Sequence, residues 1–228
     1  MSASKRAAGR RAAEFVSTGQ SVGLGTGSTV YFTLERLGER IREEGLEIRG
    51  VPTSIDTETK AREFGIPLAT LDEIERLDVT IDGADEIDAH FAMIKGGGGA
   101  LLREKVVAYV TDHVVIVVGP SKVVERLGST FDLPVEVVPF ARAAVERAVR
   151  RLGGEPKVRL RGGGIYLTDN GNEVLDVHFT SGIDDAPAME HALDAIPGVV
   201  ESGLFIDLAQ TLVIGHEDGS ADVRKSMP

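Results

Sequence analysis

Ser21-Val22-Gly23-Leu24-Gly25-Thr26-Gly27-Ser28-Thr29 is the stretch whose reading decides the fold. A short apolar strand runs into spaced glycines and two hydroxyl residues. An apolar stripe at helical spacing follows, through Val30, Phe32, Leu34 and Leu37. In a strand–turn–helix of this kind the backbone N–H groups and the helix N-terminus can cradle an anion. Ser28 or Thr29 would add a hydroxyl to a phosphate, or simply cap the helix. The stretch is not a dinucleotide fingerprint, because Ser28 stands where the third glycine belongs. The next strand also ends in Thr53-Ser54 rather than in an acidic residue.

Working outward, strand and helix alternate. Helices are expected at 5–16, 29–38, 56–64 and 100–110. Strands are expected at 21–25, 46–51, 67–70, 79–82 and 114–119. This order predicts an α/β fold, a Rossmann-like, mostly parallel sheet with helices on both faces. Ligands bind such sheets at the carboxyl ends of the strands. The polar and glycine clusters fall there: 25–29, Thr53-Ser54, 82–85 and 119–122. From Pro134 the texture changes to strand 135–138, helix 141–152, strand-like 158–160 and 164–167, a tight turn at 169–172, strand 174–179 and helix 186–195. That order predicts a smaller α+β, ferredoxin-like unit with an antiparallel sheet. Residues 203–206 and 211–214 read as a strand pair that could rejoin the first sheet. The expected division is 1–130 plus 204–228 for the larger α/β domain and 131–203 for the smaller one.

Composition narrows the function. The 228 residues contain no cysteine, so disulfide and thiolate chemistry are excluded. A formal net charge of −11 repels nucleic acid. No run approaches the length of a membrane span, and none near Met1 resembles a signal peptide. A cytoplasmic enzyme with no membrane or nucleic-acid partner is the expectation.

Three more segments carry chemistry. In Ile81-Asp82-Gly83-Ala84-Asp85-Glu86, two carboxylates stand at a strand end; contacts to sugar hydroxyls with proton relay, a magnesium site and a plain acidic turn all remain open. Lys95-Gly96-Gly97-Gly98-Gly99 is costly in chain entropy and makes sense where backbone must approach a ligand. Glu104 sits on the helix that leaves this loop. Its neighbours at helical spacing, Ala100, Leu101, Val107 and Ala108, are apolar, which would desolvate the carboxyl and raise its pKa toward that of a useful base. The competing reading is a solvated Arg103-Glu104-Lys105 cluster. Lys122, after Ser121 at another strand end, is either a phosphate contact or surface charge. The five histidines show no metal-ligand spacing.

Taken together and in order, these segments resemble ribose-5-phosphate isomerase of the A type. The resemblance extends through Leu133-Pro-Val-Glu-Val137, Thr168-Asp-Asn-Gly-Asn172, Leu175-Asp-Val-His178 and Ala195-Ile-Pro-Gly-Val199, and so spans nearly the whole chain. It implies interconversion of D-ribose 5-phosphate and D-ribulose 5-phosphate without metal or organic cofactor, in a homodimer or homotetramer. It puts the general base on Glu104. Substrate-binding positions fall on Thr26, Gly27, Ser28, Thr29, Asp82, Gly83, Ala84, Asp85, Lys95, Gly96, Gly97, Gly98 and Lys122, with Lys5 as a further phosphate lysine.

On this resemblance Glu104 moves the proton between carbons, and Lys95 with the N–H groups of Gly96–Gly98 stabilises the enediolate. Asp82 exchanges protons with the hydroxyls and Asp85 positions it. Thr26 holds hydroxyls, while Ser28, Thr29 and Lys122 grip phosphate. The rival class is a non-catalytic sugar-phosphate-sensing domain of a regulator. Such a regulator needs a DNA-reading module, and no basic helix-turn-helix precedes residues 5–16.

Overall fold

The computed structural model describes residues 2–226; Met1, Met227 and Pro228, included in the expected larger domain, lie outside the described residues. In chain order the elements are α1 (Ala3–Ala13), β1 (Ser21–Leu24), α2 (Val30–Glu44), β2 (Arg49–Pro52), α3 (Ile55–Glu63), β3 (Leu77–Gly83), β4 (Glu86–Ile87) and β5 (Met93–Ile94). Next come α4 (Leu101–Tyr109), β6 (Thr111–Val118), β7 (Leu133–Val137), α5 (Arg142–Arg151), β8 (Glu155–Val158), β9 (Leu160–Arg161) and β10 (Gly164–Ile165). The chain closes with β11 (Glu173–His178), α6 (Ala186–Asp194), β12 (Val199–Ser202), β13 (Leu204–Phe205), β14 (Thr211–Gly215) and β15 (Ala221–Lys225). No helix among the described residues is long and apolar enough to cross a membrane.

The chain forms two compact units. The first comprises residues 2–84, 103–123 and 208–226. Its sheet has the order β15-β14-β6-β3-β1-β2, parallel throughout except for β15. Val22, Leu24, Val79, Ile81, Val115, Val117 and Val213 from its strands pack with Val30, Leu34 and Leu37 of α2 and Ala8, Ala12 and Ala13 of α1. Near-continuous apolar strands are what a parallel sheet covered on both faces requires.

Helix α2 runs past Gly38, because Ile41 continues the stripe begun by Val30, Leu34 and Leu37. It ends at Gly45, whose φ of +69° is the left-handed cap. Gly38 serves packing instead of termination: a Cβ there would stand 2.6 Å from the Phe64 carbonyl oxygen. The expected strand at 67–70 reduces to a single bridge between Gly50 and Leu68. β15 had no sequence signal, since four of its five residues are exposed and it offers no apolar alternation.

An ion-pair network ties α1 to α2. Arg10 engages Glu39 at 2.8 Å and 2.9 Å, Arg6 engages Glu35 at 2.9 Å, and Arg36 bridges Glu14 at 3.0 Å and Glu44 at 2.6 Å. Arg40 donates to the Ala13 and Val16 carbonyls at 2.6 and 2.9 Å and so satisfies the end of α1. The hydrogen bond from Arg10 holds the Glu39 carboxyl below its usual range. A depressed carboxylate pKa contributes stability that is present above the unfolded value and lost as pH falls through the folded one. Arg10→Ala is expected to cost about 0.5–1 kcal/mol at neutral pH. The deficit should shrink in acid and in high salt, as read from urea unfolding at several pH values and ionic strengths.

The second unit comprises residues 85–102 and 124–207. It contains the antiparallel sheet β12-β7-β11-β8 with α5 and α6, the β-α-β-β-α-β order of a ferredoxin-like unit. Its core is built by Leu133, Val135, Val137, Val145, Val149, Leu175, Val177 and Leu193. Residues 85–102, which on sequence alone group with the larger domain, belong here because β5 pairs with β13 at Leu204↔Ile94 and Phe205↔Met93. The expected strands at 203–206 and 211–214 form as β13 and β14 but do not pair with each other, and β14 rejoins the large sheet as expected, in parallel beside β6. The glycine-rich segment after Arg159 is a hairpin. β9 and β10 are joined by Gly162-Gly163, both with positive φ, as a two-residue primed turn demands. Buried Glu136 of β7 pins the tight turn near β11, its Oε1 accepting from Thr168 Oγ1, Asn170 Nδ2 and Asn172 Nδ2.

Candidate active site

In the first unit the chain leaves β1 for β2 on one side, then crosses to β3 on the other. The carboxyl ends of β1 and β3 therefore flank a topological switch point, the place where open α/β sheets bind ligands. Asp82 stands there, 2 % exposed. Its Oδ1 accepts from the backbone N–H groups of Thr26 at 3.0 Å and Gly83 at 2.7 Å. The turn after β1 thus binds the carboxylate that ends β3. Gly25 permits this approach, since a Cβ there would lie 2.2 Å from Asp82 Oδ1. Gly27, with φ +126°, turns the chain toward α2.

The Thr26 hydroxyl was expected to hold substrate. It lies in a cluster of hydroxyls: it donates to Ser54 Oγ at 2.8 Å and lies 2.8 Å from Thr53 Oγ1 and 3.1 Å from Thr57 Oγ1. Thr53 and Thr57 in turn donate to the Leu24 and Gly25 carbonyls. Ser54 caps α3 by accepting from the Thr57 N–H at 3.0 Å. Thr26 therefore shapes the turn, with its amide on Asp82 and its hydroxyl on the end of β2. The Thr53-Ser54 pair, visible in the sequence only as a polar strand end, supplies that anchor.

Ser28 is exposed, and its Oγ accepts from Lys5 Nζ at 3.0 Å. Lys5, a residue indicated by resemblance alone, is thereby brought to the start of α2. No side chain caps that helix at Thr29. Lys5, Ser28, Tyr31, Phe32 and Lys60 line a cavity of about 290 Å³. Lys5, a hydroxyl and a helix N-terminus form an anion-attracting surface, while Lys60 is paired with Asp56. Gly83 closes β3 with Ala84 after it, both half-buried. Lys122 lies in the 3-10 turn after β6, beside β3 in the sheet, and is half-buried.

Glu104 is 4 % exposed on α4. Ala100, Leu101, Val107 and Ala108 are all buried, as their helical spacing predicts, while Arg103 and Lys105 are half-buried. The solvated-cluster reading fails for Glu104 because it occupies the same buried face as those four residues.

The second unit holds the remaining candidates. Asp85 donates its N–H to the Ile94 carbonyl at 2.8 Å, and its Oδ2 accepts from the Gly97 N–H at 2.7 Å. Asp85 therefore holds the glycine run. Lys95 is 2 % exposed, its N–H on the Gly203 carbonyl at 2.9 Å and its Nζ 5.2 Å from the Phe205 ring centroid. Gly96 is buried, and Gly97 and Gly98 are exposed. Sequence reasoning missed Glu86, which is fully buried and accepts from the Gly128 and Thr130 N–H groups and the Thr130 hydroxyl, each at 2.6 Å. Among the described residues no group of three or more His, Asp or Glu is arranged to hold a metal ion.

The model of the family described as ribose 5-phosphate isomerase A (phosphoriboisomerase A) matches residues 49–219. The chain is 48% identical to ribose-5-phosphate isomerase A of Thermosynechococcus vestitus, over 97% of this chain and 95% of that protein. Among solved structures it is similar to ribose 5-phosphate isomerase A of Methanocaldococcus jannaschii, with a TM-score of 0.92, 41% identity and 97% of each chain covered. A D-ribose-5-phosphate isomerase in complex with phospho-erythronic acid gives a TM-score of 0.93 at 35% identity, again over 97% of each chain. This chain belongs to the ribose 5-phosphate isomerase A family and is an aldose–ketose isomerase of D-ribose 5-phosphate and D-ribulose 5-phosphate.

Proposed function

We propose that Glu104 is the base of this isomerisation. The open-chain aldose must lose a proton from C2 and gain one at C1, while a proton passes from O2 to O1. Glu104 takes the C2 proton and returns it at C1 through the enediolate. The observation that carries this role is a carboxylate held at 4 % exposure on an apolar helix face that directly follows the glycine run. Lys95 and the amides of Gly96 and Gly98 stabilise the oxyanion, while the Gly97 N–H is held by Asp85. Asp82, fixed by two amides, serves the oxygens. Lys5, Ser28, Thr29 and Lys122 grip the phosphate, whose binding energy orients the reacting carbons. Thr26, Gly27, Gly83 and Ala84 supply backbone around the substrate.

The chain acts as a homodimer or homotetramer in the cytoplasm. Exposed apolar side chains on the second unit, among them Phe140, Leu160 and Leu167, support burial against a second copy. A phosphorylated sugar is charged and stays in the compartment where it is made, which supports the location.

Turnover of ribose 5-phosphate in deuterated water with a chelator tests the chemistry. The expected ketose carries deuterium at C1, because a proton held on a carboxyl group exchanges with solvent. Product retaining protium in every turnover would indicate a hydride shift and overturn the assignment. Loss of turnover on chelation would overturn the cofactor-free reading.

A further inference from the structure

Within the second unit three successive carbonyls of the glycine run are gripped by side chains. Arg159 follows β8, and its Nη1 donates to the Gly96 carbonyl at 2.9 Å and the Gly97 carbonyl at 3.2 Å. The Tyr166 hydroxyl, just past β10, donates to the Gly98 carbonyl at 3.2 Å. Both side chains are themselves held. Asp176 of β11 accepts from Arg159 Nε at 3.0 Å and also from Nη2, a bidentate pair that fixes the guanidinium plane. Arg159 and Arg161 stand 5.8 and 5.3 Å from the Tyr166 ring centroid. Burial pushes the Tyr166 phenol pKa up, so the hydroxyl remains a donor across the neutral range. The fit is close: a Cβ on Gly99 would stand 2.2 Å from the Tyr166 hydroxyl oxygen.

A planar trans peptide points its C=O and the following N–H in opposite directions. Gripping the carbonyls therefore sets where the amides aim. The Gly97 N–H is engaged by Asp85 at 2.7 Å, and the Gly99 N–H closes a turn onto the Gly96 carbonyl at 2.9 Å. The third plane joins Gly97 to Gly98. Its carbonyl rests on Arg159, and the N–H of Gly98, an exposed residue, is bound to no backbone carbonyl among the described residues.

We propose that Arg159 and Tyr166 are positioning residues that aim the Gly98 N–H at the negative charge developing on the substrate. This rests on reading the glycine run as the oxyanion cradle of the isomerase. The hairpin β9–β10 then exists to present the two ends of this clamp, with the Tyr166 N–H closing onto the Arg159 carbonyl at 2.9 Å.

The test compares Tyr166→Phe, Arg159→Met and Arg159→Lys. It measures kcat, KM for ribose 5-phosphate, and the dissociation constant of phospho-erythronic acid, whose carboxylate stands in for the enediolate. Tyr166→Phe is expected to lower kcat roughly fivefold and Arg159→Met roughly a hundredfold, with KM held within about twofold. Affinity for the acid should fall in step with kcat/KM, and Arg159→Lys should regain part of the loss. A change in KM alone, or wild-type kcat in Tyr166→Phe and Arg159→Met, overturns the proposal. If Arg159→Met does not fold, Tyr166→Phe decides it, since only one oxygen is removed. Glu104→Gln, assayed beside them, separates the two readings. Full turnover in that variant removes the base assignment, whereas an inactive Glu104→Gln beside unimpaired clamp variants removes the clamp alone.

Discussion

Glu104→Gln is expected to lower kcat by about a thousandfold or more while KM for ribose 5-phosphate stays within a few-fold of wild type. The amide has the shape of the carboxylate and fills the same space on α4, among Ala100, Leu101, Val107 and Ala108. What it cannot do is accept a proton from carbon. On the proposed assignment, substrate binding rests on other groups: the Lys5–Ser28 corner, Lys122 and the turn after β1. The loss should therefore fall on the chemical step and not on the encounter. Thermal unfolding measured on the same preparation should shift little, because an isosteric change leaves no cavity. Glu104→Asp should lie between the two, since a shorter side chain keeps the base and misplaces it by about 1 Å, a displacement that costs on the order of a hundredfold. Turnover within tenfold of wild type in Glu104→Gln would remove Glu104 from its role.

The parts of this molecule that were legible in the sequence are those set by local rules. The turn from Gly23 to Thr29 lies between an apolar strand and an apolar helical stripe, and it folds as such. The burial of Glu104 follows from neighbours three and four residues away, which a helix brings to one face. The parts that were not legible depend on distant partners. Gly38 reads as a helix end because glycine usually is one, yet it is fixed by the Phe64 carbonyl across a helix contact. Strand β13 reads as half of a hairpin with β14, but its two residues pair with β5 from far earlier in the chain. The grip of Arg159 and Tyr166 on the glycine run spans 63 and 68 residues, and nothing periodic announces it. Asp85 shows the same limit at short range. Its nearness to Asp82 in sequence suggests partnership, but β3 ends at Gly83 and Asp85, in the bend beyond it, accepts from the Gly97 N–H.

Asp82 can be disabled in two ways that separate its charge from its position. Asp82→Asn keeps the side-chain shape, and the amide oxygen can still accept from the Thr26 and Gly83 N–H groups now bound to Oδ1. The fold should be retained, and the unfolding temperature should stay near that of wild type. If Asp82 exchanges protons with the sugar oxygens as proposed, kcat is expected to fall by about a hundredfold or more. Gly25→Ala keeps the charge and moves it. The added methyl would stand 2.2 Å from Asp82 Oδ1, 2.4 Å from its Cγ and 2.6 Å from its Cα. A side-chain rotation relieves the first two contacts but not the third, so the backbones of β1 and β3 must separate where they meet the turn. The expected cost is about 1–3 kcal/mol of stability, as for other overpacked sites, with a loss of kcat at least as large as that of Asp82→Asn. Gly119→Ala supplies the contrast, because its Cβ would find only Ser4 Oγ, at an ordinary 3.7 Å. Both unfolding and turnover should be close to wild type there. If Gly25→Ala proved stable and fully active, the close approach of the two strand ends would not be what places the carboxylate. If Asp82→Asn alone were fully active, the oxygens of the sugar would exchange their protons without it.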